Sequence, residues 1–173
     1  MKSIFYILII FLIVLSIILL SIYLRPVEMI RYSGRYFFFR DDIRAAKGIE
    51  VHPDEKTIHD LFWNPDVKNI TILFNPNVTE SGYYYLETFE LTYKLHSMYV
   101  LNGMKKSFEA VDVNTYDNIT SSTDVLKIVL IHPQLADKTL VERQNNIIFI
   151  HAKNYRDFDL ATIKTILVAM GID

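Results

Sequence analysis

The 173-residue chain is 51% hydrophobic and 13% aromatic with a net charge of −2, so it can bury enough apolar surface to offset its ordering entropy and is not a disordered tail. It has no cysteine, which excludes disulfides, thiol catalysis and thiolate metal sites. Charge is uneven: residues 25–47 hold six basic groups against three acids, while from Gly48 onward there are 11 against 17. The distal part therefore lacks the basic stripe that phosphate contacts require, which argues against a nucleic-acid partner.

From Ser3 to Leu24 there is no charge, Gly, Pro, Asn or Gln. As a helix rising about 1.5 Å per residue the run reaches roughly 33 Å, enough to cross a hydrocarbon core of about 30 Å. A removable signal peptide would have a shorter apolar core and small residues at its exit. Here the exit is Ser21-Ile22-Tyr23-Leu24-Arg25. The expectation is a retained anchor over residues 1–24, with membrane lipid as its partner through residues 3–24. A basic juxtamembrane segment at 25–47 and a globular domain at 48–173 follow.

Two signals on orientation oppose each other. Arg25, Arg31, Arg35 and Arg40 follow the span and favour a cytoplasmic domain. Three sequons favour the outside: Asn69-Ile70-Thr71, Asn77-Val78-Thr79 and Asn118-Ile119-Thr120. Asn69 sits at the edge of a strand, a poor acceptor, whereas Asn77 and Asn118 fall in polar loops and are the glycosylation candidates. Because a folded domain can translocate largely regardless of charge, the reading adopted is an extracytoplasmic domain.

In chain order, "RYFFFR" at 35–40 is expected to form the first strand, and Ile49–Val51 a second, short one. A helix follows with Pro53 in its first turn, Asp54 and Glu55 at its positive end, and Ile58, Leu61 and Phe62 on its apolar face. "KNITILF" is a central strand through Phe74, nearly apolar throughout. Residues 83–101 form the longest helix, closed by Asn102-Gly103. Its apolar stripe is read as Leu86, Phe89, Tyr93 and Val100, widened by Leu91, Leu95 and Met98. Glu87, Glu90 and Lys94 are read as its solvated side. A strand at 107–113 completes a βαβ unit with parallel strands. Another central strand spans 125–131, then a hairpin pairs 139–142 with 147–151. A last helix, capped by Asp157 or Asp159, carries Leu160, Ile163, Leu167 and Met170 against the sheet and ends at Gly171. The expected fold is α/β: a mixed sheet covered by two or three helices.

Chemistry-bearing clusters are weak. His52, Glu55 and His59 are metal-ligand types, but Pro53 puts His52 outside the helix and no zinc pattern is present, so capping explains the acids. Asp157 and Asp159 alternate as in calcium loops yet lack the further ligands. His96 reads as a partly buried helix histidine, and Glu87 with Glu90 as a solvated face. None of the serines lies in a nucleophile motif, and five ungrouped glycines cannot line a phosphate. No cofactor is expected.

One place has a physical basis for binding. Ligands tend to sit beyond the carboxyl ends of parallel strands. That edge would be built by Asn75, Asn77, Thr79, Glu80 and Ser81, with Asp112, Asn114 and His132, and would suit a small anion or a partner's carboxylate. The functional expectation is a single-pass, non-catalytic binding or accessory subunit of a membrane or envelope complex, acting through a protein partner. The alternatives are an anchored hydrolase using His132, His151 and a carboxylate such as Asp112, and a cytoplasmic-facing anchored regulator. His132 and His151 are placed at the ends of strands separated by a third.

Overall fold

A computed structural model describes residues 27–75, 82–117 and 119–172. The chain forms a mixed α/β domain. Its strands are β1 (Glu28–Tyr32), β2 (Arg35–Phe39), β3 (Glu50–His52), β4 (Asn69–Phe74), β5 (Ser107–Asp112), β6 (Val125–Leu130), β7 (Leu140–Gln144) and β8 (Ile147–His151). Its α-helices are α1 (Ile43–Lys47), α2 (Glu55–Phe62), α3 (Gly82–Leu101) and α4 (Tyr155–Met170). Six strands form one sheet in the order β3-β7-β8-β6-β4-β5, and β1 and β2 form a separate hairpin.

The four strands β5, β4, β6 and β8 are parallel, and β7 runs against β8. The expected βαβ unit is present: β4 and β5 pair from Asn69↔Ser107 to Phe74↔Asp112. The near-continuous apolar runs of β4, β6 and β8 have a simple cause, since both faces of these strands are covered. Ile70, Ile72, Leu126, Ile128, Ile148 and Ile150 face the helices in the main core. On the opposite face Leu73, Val129, Ile131 and Ile147 form a smaller cluster. It is roofed by Val113, Tyr116 and Ile119 from the connection after β5. Each such buried side chain contributes about 1.5–3 kcal/mol of transfer free energy.

Four points of the sequence reading are corrected. The aromatic segment at 35–40 is the second strand, because residues 28–32 pair with it through a Ser33-Gly34 turn whose positive φ angles, 46° and 81°, suit a tight hairpin. Four α-helices are present among the described residues, since Ile43–Lys47 forms a short α1 capped by the Asp42 carboxylate. The cap of α4 is Asn154, which accepts from the Asp157 N–H at 2.9 Å, so neither aspartate fills that role. Strands β6 and β8 are direct neighbours with Leu130 opposite Ile150, and no strand intervenes between the two histidines.

The hairpin sits on the helix side of the sheet. Phe37 and Phe39 enter the main core, the Lys94 ammonium lies 4.6 Å from the centre of the Phe39 ring, and Asn102 donates to the Tyr32 hydroxyl at 3.2 Å. Buried lysines tie the helix ends together. Lys164 reaches the Lys47 carbonyl at 3.1 Å and pairs with Glu55. Lys106 donates to the Phe62 and Asn64 carbonyls, each at 2.9 Å, which satisfies the end of α2. Among the described residues no helix is long and apolar enough to cross a membrane, and residues 3–24 lie outside them.

Candidate functional site

The orientation of α3 decides where charge is buried and where apolar surface is exposed. Two stripes at helical spacing compete on this helix, and the structure selects the one that the sequence reading treated as secondary. Tyr84, Leu91, Leu95, Met98 and Tyr99 are buried, whereas Phe89 and Tyr93 are 62% and 60% exposed, with Val100 and Tyr85 also in solvent. The acid and base expected in water are inside instead: Glu87 is 2% exposed and Lys94 3%. The reason is the hairpin, which covers the charged side of α3. Arg40, just beyond β2, approaches Glu90 at 3.4 Å, and Glu90 also pairs with Lys94.

A polar cleft opens where α3 and α4 begin, beyond the carboxyl ends of β4 and β8. It holds about 460 Å³ and is lined by Arg40, Asp41, Tyr83, Tyr155, Arg156 and Asp159, with Glu28 and Asp42 at its rim. Three of these acids, Glu28, Asp41 and Asp42, have structural tasks. Glu28 accepts from the Ile43 N–H at 2.7 Å, Asp41 accepts from the Asp42 N–H at 2.7 Å, and Asp42 caps α1. The rings of Tyr83 and Tyr155 stack at 4.4 Å across its mouth. A second, much smaller pocket shares Arg40, Asp41 and Asp159 with this cleft and is also lined by Glu87 and Thr162. Burial, then the hydrogen bond and charge of Asp159, push the Glu87 carboxyl up to about 8, so it is protonated at neutral pH. Burial and the nearby Arg40 push Lys94 down to about 8. Sequence does not single out this pair of carboxyls, because Glu87 and Asp159 lie on different helices and Glu87 is on what reads as a solvated face. Only the apolar hairpin preceding it signals that something must cover that face.

The residues expected at the sheet edge are partly assembled. Asn75 ends β4 and donates to the Asn114 carbonyl at 2.9 Å, joining the two loops beyond β4 and β5. Asp112 closes β5 and is exposed. Asn77, Thr79, Glu80 and Ser81 lie outside the described residues, as does Asn118. His132 follows β6 and is buried, with its ring turned to the helix side. Its Nδ1 accepts from the Gln134 N–H at 3.1 Å, which leaves Nε2 to donate to the Tyr155 hydroxyl at 3.2 Å in the neutral ring. The ring also stacks on Tyr84 at 5.9 Å. His132 therefore orients Tyr155 at the mouth of the cleft.

His151 points the other way. It lies beside Phe149 on the opposite sheet face, 3.7 Å from Glu142, and burial pushes its pKa down. His132, His151 and Asp112 thus occupy two faces and an edge strand, and the geometry does not assemble them for hydrolysis.

The remaining candidates have local partners. His52 contacts Glu50 at 2.8 Å, and His59 Nδ1 donates to the Val168 carbonyl at 2.9 Å. His96 packs edge-on against Phe108 at 5.8 Å. Asp157 accepts from the Thr139 hydroxyl at 2.8 Å. The third sequon asparagine, Asn69, accepts from the Ser107 hydroxyl at the start of β4. Among the described residues no group of three His, Asp or Glu is placed to hold a metal ion. No family model, curated protein or solved structure matches the chain, so the site is read from its own chemistry.

Proposed function

We propose that this chain is a single-pass, membrane-anchored α/β domain that faces away from the cytoplasm and works by binding rather than catalysis, as an accessory or assembly subunit. The observation that carries the binding reading is α3, which turns Phe89, Tyr93 and Val100 to solvent while burying Glu87 and Lys94. An exposed aromatic flank of this kind loses free energy in water and gains it against a partner. The uncharged run from Ser3 to Leu24 supports the anchor, and the sequons at Asn77 and Asn118 support the outward direction. The edge residues Asn75, Asp112 and Asn114, with the tyrosine-lined cleft, offer polar contacts that suit a small ligand or a partner's loop.

A cytoplasmic-facing regulator is the second reading, favoured by the excess of arginine just after the apolar run. One experiment separates them. The chain lacks cysteine, and Ser121 is exposed in the connection before β6. In Ser121→Cys, labelling of intact cells by a membrane-impermeant maleimide is the expected result. Labelling only after lysis would overturn the outward reading.

A further inference from the structure

The six-stranded sheet ends in two unlike edges. At one, β3 is three residues long and carries Glu50 and His52, features that discourage pairing with another chain. At the other, β5 is six residues long, and Glu109, Ala110, Val111 and Asp112 are exposed. Among the described residues nothing pairs with its outer side.

The hydrogen bonds at its two ends set the phase of that edge. The Ser107 N–H donates to the Lys68 carbonyl at 3.1 Å and the Val113 N–H to the Phe74 carbonyl at 2.9 Å. Odd-numbered residues of β5 therefore turn their backbone groups toward β4. The N–H and C=O groups of Phe108, Ala110 and Asp112 point outward.

The flank of α3 borders the same edge. Phe89, Tyr93, His96 and Val100 follow one another at spacings of four, three and four, which places them on one side of the helix. His96 contacts the Phe108 ring of β5, so this side of α3 lies next to the open strand. Phe89 and Tyr93 stack on each other at 5.9 Å with parallel rings.

We propose that the outer edge of β5 and the aromatic flank of α3 together form the interface of a twofold homodimer, with β5 pairing antiparallel to its copy about Ala110. This deepens the binding reading by naming a second copy of the chain as the partner. The register follows from symmetry. A twofold axis perpendicular to the sheet preserves its faces, so the residue on the axis must pair with itself and every other pair must share parity. Centring on Ala110 sets Phe108 opposite Asp112 of the copy. The three outward-facing residues then all become hydrogen-bonded pairs, giving six interchain bonds. Centring one residue earlier would place the like-charged Glu109 against its own copy and set Asp112 opposite Lys106, outside β5, leaving four bonds within the strand. In the chosen register Glu109 faces Val111. The Glu109 carboxylate is also drawn back over β4, where it accepts from the Thr71 hydroxyl at 2.7 Å.

A second copy is favoured over an unrelated strand for a further reason. The same axis keeps both helix layers, and both β1–β2 hairpins, on one side of the joined sheet. Two chains entering from one membrane need their amino-terminal segments on the same side, and this pairing supplies that. It also brings the two α3 flanks together, removing Phe89 and Tyr93 from water.

The test uses the full chain in detergent and in membranes. Light scattering on the purified protein should give twice the 20.3 kDa chain mass, and Phe89→Glu with Tyr93→Glu should give the single mass while keeping one cooperative thermal transition. Oxidation of Ala110→Cys should yield a disulfide-linked dimer, because directly opposite residues in such a pair sit about 5.5 Å apart, within disulfide range. Leu135→Cys, at a residue 66% exposed and outside the interface, should remain largely uncrosslinked. A single-mass wild type whose Ala110→Cys form crosslinks no faster than Leu135→Cys would overturn the proposal. So would crosslinking of Ala110→Cys to a different polypeptide. Topology labelling at Ser121 is independent of these readouts, so failure of the outward reading would leave the dimer result standing.

Discussion

Glu87 on α3 and Asp159 on α4 line one small pocket beside the cleft, and burial, then the neighbouring Asp159, raises the Glu87 carboxyl to about 8. The groups facing this pair are Arg40 and Asp41 beyond β2, Glu90 and Lys94 on α3, and Thr162 on α4. A carboxyl whose folded pKa lies above its unfolded value of 4.5 binds more protons folded than unfolded. Its stabilising contribution is full below about 4.5 and is lost as pH rises through about 8. Lys94, lowered to about 8, changes its contribution only above that pH. His151, lowered by burial from 6.5, adds an opposite rise in stability within the window, so the Glu87 term is isolated by the difference between wild type and Glu87→Gln. Unfolding free energies from urea denaturation should fall across pH 5–8 by an amount on the order of 1–3 kcal/mol, and Glu87→Gln should flatten the profile. A wild-type profile that runs parallel to that of Glu87→Gln over the window would contradict the buried protonated carboxyl.

Lys106 tests the closure of α2. Its ammonium is nearly buried, bonds two carbonyls at the helix end, and lies 5.0 Å from the centre of the Tyr99 ring. Lys106→Met keeps the apolar stem but removes both donors. The Phe62 carbonyl retains the Tyr99 hydroxyl at 2.8 Å, so the loss falls mainly on Asn64. Thermal unfolding should show a loss of about 1–3 kcal/mol, or roughly 2–4 °C per kcal/mol. No change in midpoint would mean that water replaces the ammonium.

The end of α4 offers a double-mutant test. Gly171 has φ of 68°, and its N–H bonds the Val168 carbonyl while the following N–H returns to Leu167. A Cβ here would meet His59 Cε1 at 3.2 Å in addition to the left-handed strain. Gly171→Ala should cost about 1–2 kcal/mol by chemical denaturation. Combined with His59→Ala it should cost less than the sum, since the neighbour is gone. Strict additivity would assign the whole effect to backbone strain.

The order of elements was legible in the sequence because the central strands are apolar on both faces and the helices carry plain stop signals such as Asn102-Gly103. The first strand was not. Glu28 and Arg31 break the apolar alternation of β1, and only the Ser33-Gly34 pair marks the turn that creates it. The rotation of α3 was hidden for a different reason. Apolar residues occupy two stripes at helical spacing, so local periodicity cannot choose between them. The choice is made by Phe37 and Phe39, which pack from a separate hairpin over the charged side. Asn75 and Asn114 meet because the parallel strands they follow share a carboxyl end. The relation of His132 to His151 was not legible, since strand adjacency depends on pairing across the sheet, which sequence spacing does not encode.

The anchor reading carries one more consequence. Leu24 precedes Glu28, the first residue of β1, by four positions, at most about 14 Å of extended chain. With the proposed anchor in place, the outer face of the hairpin would lie close to the bilayer surface. That face holds Val27, Met29, Tyr36 and Phe38, all more than half exposed, with Met29 opposite Phe38 and Arg31 opposite Tyr36. Aromatic rings beside arginines suit the headgroup level, where rings sit half in hydrocarbon and the cations meet anionic lipid. In vesicles containing anionic lipid, the indole of full-length Tyr36→Trp, in a Trp63→Phe background that removes the native indole, should emit further to the blue than in vesicles of neutral lipid. It should also be quenched by shallow brominated lipids. Phe38→Asp should abolish the quenching without lowering the thermal midpoint, because Phe38 makes no core contact, and added salt should weaken it through Arg31 and Arg35. An indole that brominated lipids leave untouched would place the hairpin away from the bilayer and leave its apolar face for a protein partner.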